Sequence, residues 1–173
     1  MTDTNPDLTL KQLVREATEH LYAGRTAQAL PLLERAYALD ELHFEAALNL
    51  SGAYILSGKF KKAVPILESL RDRDPENAMV WTNLGAAYLG NPVLATDEQQ
   101  QQAIAAFEQA LAIDPVARSV AYNIGLIYRD RQDVEAAKRW FRRAIQHDPR
   151  DQHARNHLRR LEAAAGDEPA QAG

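Results

Sequence analysis

The chain has 173 residues, a net charge of −4 and 46% hydrophobic residues, enough apolar surface for one core and too much for a disordered chain. It has no cysteine, which excludes disulfides, thiolate metal sites and thiol nucleophiles and fits a reducing compartment. The opening MTDTNPDLTL lacks the basic and apolar segments of a signal peptide, and no uncharged apolar run reaches the ~18 residues of a membrane span, so a cytoplasmic protein without membrane insertion is expected.

Residues 1–9 are polar and acidic and read as a flexible N-terminus. Four similar stretches follow, 10–43, 44–77, 78–117 and 118–151. With each numbered from 1 to 34, the first places Leu13, Ala17, Gly24, Ala29, Leu33 and Ala36 at positions 4, 8, 15, 20, 24 and 27. The second places Leu50, Tyr54, Gly58, Phe60, Ala63, Leu67 and Pro75 at 7, 11, 15, 17, 20, 24 and 32. Pro31 and Pro65 share position 22. Proline is cheap only in the first turn of a helix, so the spacing predicts helices starting near Thr26 and Phe60, or a slight bend.

The third stretch opens with WTNLGAAYLG, which puts Trp81, Leu84, Gly85 and Tyr88 at positions 4, 7, 8 and 11. Ala103, Phe107, Ala110 and Pro115 take 20, 24, 27 and 32 once a six-residue insertion near Gly90–Glu98 is set aside. Asn91-Pro92 signals a turn there, and Thr96 or Asp97 with Gln99 or Gln100 suits a capping box. The insertion is either tolerated surface or a contact device. The fourth stretch carries Ala121, Ile124, Gly125 and Tyr128 on one helical face, then Val134, Ala137, Phe141, Ala144 and Ile145 on another, before Pro149. Residues 152–165 read as a lone helix whose Leu158 and Leu161 cover the open end of the stack. Residues 166–173 read as a disordered tail.

Pro115 and Pro149 stand 34 residues apart, each after an aspartate, and Phe44 to Ala78 and Ala29 to Ala63 keep the same step. Two helical patterns per ~34 residues are the signature of stacked helix pairs. Position 8 holds Ala17, Ser51, Gly85 and Gly125, and position 20 holds Ala29, Ala63, Ala103 and Ala137. Such small residues let helix axes approach closely. Tyr54, Tyr88, Tyr128, Phe107 and Phe141 then fill the gaps, or else form an aromatic cage for a cation.

Over residue 10 to about 165, most specifically over 78–151, the chain resembles the tetratricopeptide-repeat family. The resemblance implies an all-α fold, a right-handed superhelix of about four helix pairs with 152–165 as a capping helix. It also implies that the first helices line a concave groove holding a peptide, with positions 2, 5, 6, 9, 12 and 13 facing it. Position 6 carries Arg15, Asn49, Asn83, Asn123 and, in the capping helix, His157. The three asparagines resemble the ladder in the repeat region of O-linked N-acetylglucosamine transferases. A side-chain amide offers both donor and acceptor to an extended peptide; the same asparagines also suit bonds to neighbouring turns or water. Val14, Leu48, Thr82 and Tyr122 at position 5, Leu126 at 9, Ile55 and Leu89 at 12, and Met79 at 2 make the groove floor apolar, and Arg129 at 12 suits an acidic ligand group. With Met79 and Asn83 where chaperone-tail-binding members place Lys or Arg, their carboxylate clamp is not reproduced.

His153 and His157 lie i and i+4, a spacing metal sites use, but with no cysteine and no third ligand no metal is expected. No phosphate loop, nucleophile with base or paired-carboxylate site is visible, so no catalytic residue, no cofactor and no enzyme is expected. Residues 118–160 carry a net +6 against −7 for 1–117. Lys138, Arg139, Arg142, Arg143, Arg150, Arg155, Arg159 and Arg160 suit an acidic protein segment, plain solvation or, less well in an acidic chain, nucleic acid. The reading is a non-catalytic scaffold that binds a peptide of a protein partner. Its alternatives are a homo-oligomer built through an end helix or the 90–98 loop, and nucleic-acid binding through the basic end.

Overall fold

A computed structural model describes residues 6–117 and 119–166. Most of the expected N-terminal arm, 1–5, and the tail after 166 lie outside the described residues. The helices are α1 (Pro6–Tyr22), α2 (Thr26–Leu39), α3 (Phe44–Leu56), α4 (Phe60–Arg73), α5 (Ala78–Leu89), α6 (Asp97–Ile113), α7 (Val120–Asp130), α8 (Val134–His147) and α9 (Gln152–Gly166). The first thus begins at Pro6, ahead of residue 10. Among the described residues there is no strand.

Consecutive helices pack as antiparallel pairs, and each second helix also meets the next first helix. First helices touch one another across units, α1 with α3 and α3 with α5, while no comparable contact joins α2 to α4 or α4 to α6. Over its first three units the stack therefore curves toward the first helices, which form its inner wall. The fold is an all-α helical repeat solenoid.

The turns between units repeat one geometry. His43, Asn77, Ala117 and Asp151 each donate a backbone N–H to the carbonyl of Asp40, Asp74, Asp114 and Asp148, respectively. Three of these turn-closing residues then cap the following helix: His43 accepts from Ala46 N, Asn77 from Met79 N and Val80 N, and Asp151 from Ala154 N. Ala117 has no side chain to do so. Helix α7 accordingly starts only at Val120, after Ser119 at φ 60° and without a side-chain cap. Ala117→Asn supplies the acceptor that the other turns have, provided that Ser119 leaves its left-handed conformation and the helix starts earlier. It is expected to raise stability by about 0.5–2 kcal/mol, about 2–4 °C in Tm per kcal/mol; a thermal melt with unchanged or lower Tm counts against it.

Packing within units follows ring size. A Cβ on Gly85 would meet Phe107 ring atoms at 2.6 Å, and one on Gly125 would meet Phe141 at 2.8 Å. Where position 24 is leucine, as at Leu33 and Leu67, position 8 carries a side chain, Ala17 or Ser51. All four of those residues are fully buried.

Helices α2 and α4 begin at Thr26 and Phe60, and Pro31 and Pro65 sit inside them, beyond the first turn. Each proline costs the helical bond to the residue four before it. Those residues, Ala27 and Lys61, are exposed, so solvent can satisfy the carbonyl that each proline leaves unpaired.

The insertion is ordered by polar bonds. Asn91 Oδ1 accepts from Val93 N at 3.0 Å, and Thr96 with Gln99 forms a reciprocal capping box at the start of α6. It leaves Val93 90% and Leu94 75% exposed.

Helix α9 seals the far end with Ala154, which is fully buried, and half-buried Leu158 and Leu161. Its His157 is not a groove residue free for a ligand: the imidazole stacks on Phe141 at 5.2 Å and lies 6.0 Å from the Tyr122 ring.

Candidate binding wall

The inner wall carries the asparagines expected at position 6, and the three differ in what they touch. Asn49 Nδ2 donates to Thr18 Oγ1 at 3.0 Å, and that hydroxyl in turn donates to Val14 O. Thr18 stands at position 9 of the preceding unit. At the same place beside Asn83 stands Gly52, so close that a methyl group there would lie 3.9 Å from Asn83 Nδ2. Beside Asn123 the equivalent residue is Ala86. Neither Gly52 nor Ala86 has a polar side chain, and the Asn83 and Asn123 amides make no hydrogen bond to any described residue. Both are half-buried.

The apolar floor is partly shared with the core. Leu48 and Ile55 pack against the cluster of the first units, Leu89 against that of the third, and Tyr122 and Leu126 against the last. Met79 is 60% exposed. The Thr82 hydroxyl donates to Ala78 O at 2.8 Å, so its oxygen faces its own helix.

Arg129 is engaged rather than free. Its guanidinium bonds Asp130 Oδ1 at 2.5 Å and lies 3.3 Å from His157 Nδ1. Burial first, and then this neighbouring cation, hold the His157 pKa below the usual histidine value. Burial and then the Asp151 carboxylate push the Tyr122 hydroxyl up.

At the start of the wall, sequence reasoning includes Val14 and Arg15 but passes over Lys11, Thr18 and Tyr22. A cleft of about 370 Å3 there is lined by Lys11, Val14, Arg15, Thr18, Glu19, Tyr22, His43 and Glu45. Tyr22, at position 13, is 90% exposed. The signal was available, since Lys11, Val14, Arg15, Thr18 and Tyr22 occupy the positions used for the later units.

The basic C-terminal region is less free than its composition suggests. Lys138 is 7% exposed, not on an outer face. It stands at position 21, where the other units carry Leu30, Val64 and Ile104, so its stem substitutes for an aliphatic side chain while Nζ reaches Glu135 at 3.0 Å. Arg142 pairs with Glu162 at 2.7 Å, and Arg143 lies over the Trp140 ring. Among the described residues, no group of three or more His, Cys, Asp or Glu is placed to hold a metal ion, and no helix is long and apolar enough to cross a membrane.

Comparison with known proteins agrees with this architecture. Two family models, both described as tetratricopeptide repeat, match residues 20–88 and 93–154. A peroxisomal targeting signal receptor of Kluyveromyces lactis is 25% identical over 121 residues, 70% of this chain, and the chain spans 20% of that relative's length. A thermophilic TPR protein of Thermus thermophilus superposes with a TM-score of 0.75 at 22% identity, covering 91% of this chain and 83% of its own. MamA of Desulfovibrio magneticus RS-1 gives 0.70 at 21% identity, covering 87% and 79%. These structural likenesses establish the fold alone. With repeat models matching most of its length and the same paired helices in its structure, the chain belongs to the tetratricopeptide-repeat family.

Proposed function

We propose that the chain is a non-catalytic scaffold that holds an extended peptide segment of a partner protein along its inner wall. The observation that supports this is the pair of amides on Asn83 and Asn123, one unit apart, half-buried and without a hydrogen-bond partner among the described residues. Each offers a donor and an acceptor, which is what successive peptide groups of an extended chain require. Gly52 and Ala86 beside them keep the approach open. The half-buried Leu48, Ile55, Leu89, Tyr122 and Leu126, with exposed Met79, supply apolar surface for ligand side chains between the amides. The relative that receives a targeting signal is consistent with a peptide ligand.

The test is affinity for a peptide selected from a random display library on the wild-type chain. Asn83→Ala and Asn123→Ala are each expected to weaken binding about three- to tenfold, the worth of one hydrogen bond. Asn49→Ala is expected to change it little, because its Nδ2 already serves Thr18. Unchanged affinity in both of the first two variants rejects the amide contacts.

A further inference from the structure

Three of the four joints in the stack are closed by recurring side-chain ties. The first tie joins position 11 to position 25 of the preceding unit: Tyr54 to Glu34 at 2.9 Å, Tyr88 to Glu68 at 2.8 Å, and Glu162 to Arg142 as an ion pair. The second involves position 4. Trp81 Nε1 donates to Pro75 O at 2.8 Å with its ring beside Arg71, and Arg155 donates to Pro149 O. At the first joint position 4 is Ala47, and the large Tyr37 at position 28 packs against the core instead.

The joint between the third and fourth units has neither tie. No hydrogen bond links Tyr128 to Glu108. Position 4 is Ala121, which has no donor, and Pro115 O accepts from no described residue. Helices α5 and α7 lack the close contact that joins earlier first helices. What remains is a cleft of about 650 Å3, lined among others by Leu111, Pro115, Ala121, Tyr122 and Ala144. Leu111, Pro115 and Ala121 hold the positions that Arg71, Pro75 and Trp81 hold one joint earlier. The cleft is therefore the counterpart of the Trp81 site, with Leu111 where Arg71 lies beside the Trp81 ring.

We propose that this cleft, which shares Tyr122 with the inner wall, is a second binding site that takes the indole of a partner protein's tryptophan. The chain supplies the template: an indole seated at position 4 with its N–H on the carbonyl of position 32. Arg155 shows that a guanidinium can make the same bond, so arginine is the competing occupant that the probes must separate. The floor of the cleft is Leu111 and Ala144, and its rim carries Arg150, whose guanidinium has no carboxylate partner among the described residues. The rim also carries Asp148 and Asp151, each accepting one backbone N–H at 2.9 Å, from Arg150 and Ala154 respectively. A neutral ring enters this field without repulsion, and a carboxylate next to the tryptophan meets Arg150.

The test titrates the 15N-labelled full chain with N-acetyl-Asp-Trp-amide, N-acetyl-Asp-Phe-amide and N-acetyl-Asp-Arg-amide, following backbone amide shifts. Saturable shifts are expected at 116–122 and 144–151 with the tryptophan probe. The phenylalanine probe, which lacks the donor, is expected to bind about three- to tenfold more weakly, and the arginine probe, which lacks the ring, is also expected to bind more weakly than the tryptophan probe. Ala121→Trp fills the cleft from within and is expected to abolish saturable binding. Arg150→Glu, an exposed change that does not touch the ring seat, is expected to weaken it at least about threefold, as a lost charged contact does. Asn83→Ala with Asn123→Ala is expected to leave it unchanged, so this site and the inner wall stand or fall separately. Shifts confined to the inner wall, equal affinity for the three probes, or full binding by both Ala121→Trp and Arg150→Glu overturn the assignment.

Discussion

Replacing Gly85 with alanine is expected to destabilise the chain by about 2 kcal/mol, although alanine is the better helix former by about 1 kcal/mol. The added methyl would meet three ring atoms of Phe107 at 2.6–2.9 Å, inside any normal contact. Phe107 is fully buried and cannot swing away. Overpacking of this kind costs about 1–3 kcal/mol, and so short a contact against a fixed ring belongs at the upper end. The net loss corresponds to about 4–8 °C in Tm. Adding Phe107→Leu recreates the Ala17–Leu33 pairing that the first unit already uses with both residues fully buried. The pair is therefore expected to be coupled by about 1–2 kcal/mol, with the double variant more stable than Gly85→Ala alone. A double-mutant cycle by denaturant unfolding measures this directly; additive losses reject the size pairing.

That pairing explains why much of the fold was legible from sequence. Gly85 with Phe107, Gly125 with Phe141 and Ala17 with Leu33 keep the axes of a helix pair at a workable distance, so the chain repeats them at a fixed step. The turn aspartates Asp40, Asp74, Asp114 and Asp148 recur for the same reason. The site was less legible because its character depends on differences between units. Asn49, Asn83 and Asn123 look equivalent until the residue facing each is known, and only then does Thr18 separate the first from the other two. Lys138 reads as a surface charge by type, yet its place in the unit is an aliphatic one. The open third joint arises from two small substitutions, Ala117 where a cap belongs and Ala121 where an indole or guanidinium belongs. Neither alanine departs from helical periodicity, so neither stands out in a periodicity reading.

Phe141→Ala is expected to cost about 3–5 kcal/mol and to concentrate that loss at one end of the chain. The ring is fully buried and joins three helices. From α8 it covers Gly125 of α7, where an added Cβ would lie 2.8 Å away, stacks on His157 of α9, and stands 5.8 Å from Tyr122. Truncation opens a cavity that Gly125 cannot fill and removes the flat surface on which α9 rests. Each unit of a repeat stack contacts only its neighbours, so stability is close to a sum of unit and joint terms. The joint before α7 is the one that lacks both recurring ties and a helix cap, so it transmits little support from the first three units. Hydrogen exchange should therefore show amides of 120–166 losing protection by orders of magnitude while those of α3 and α4 change little. Equal loss along the whole chain would mean that the third joint couples its neighbours as firmly as the others do, and that the open cleft beside it is not a mechanical division of the stack.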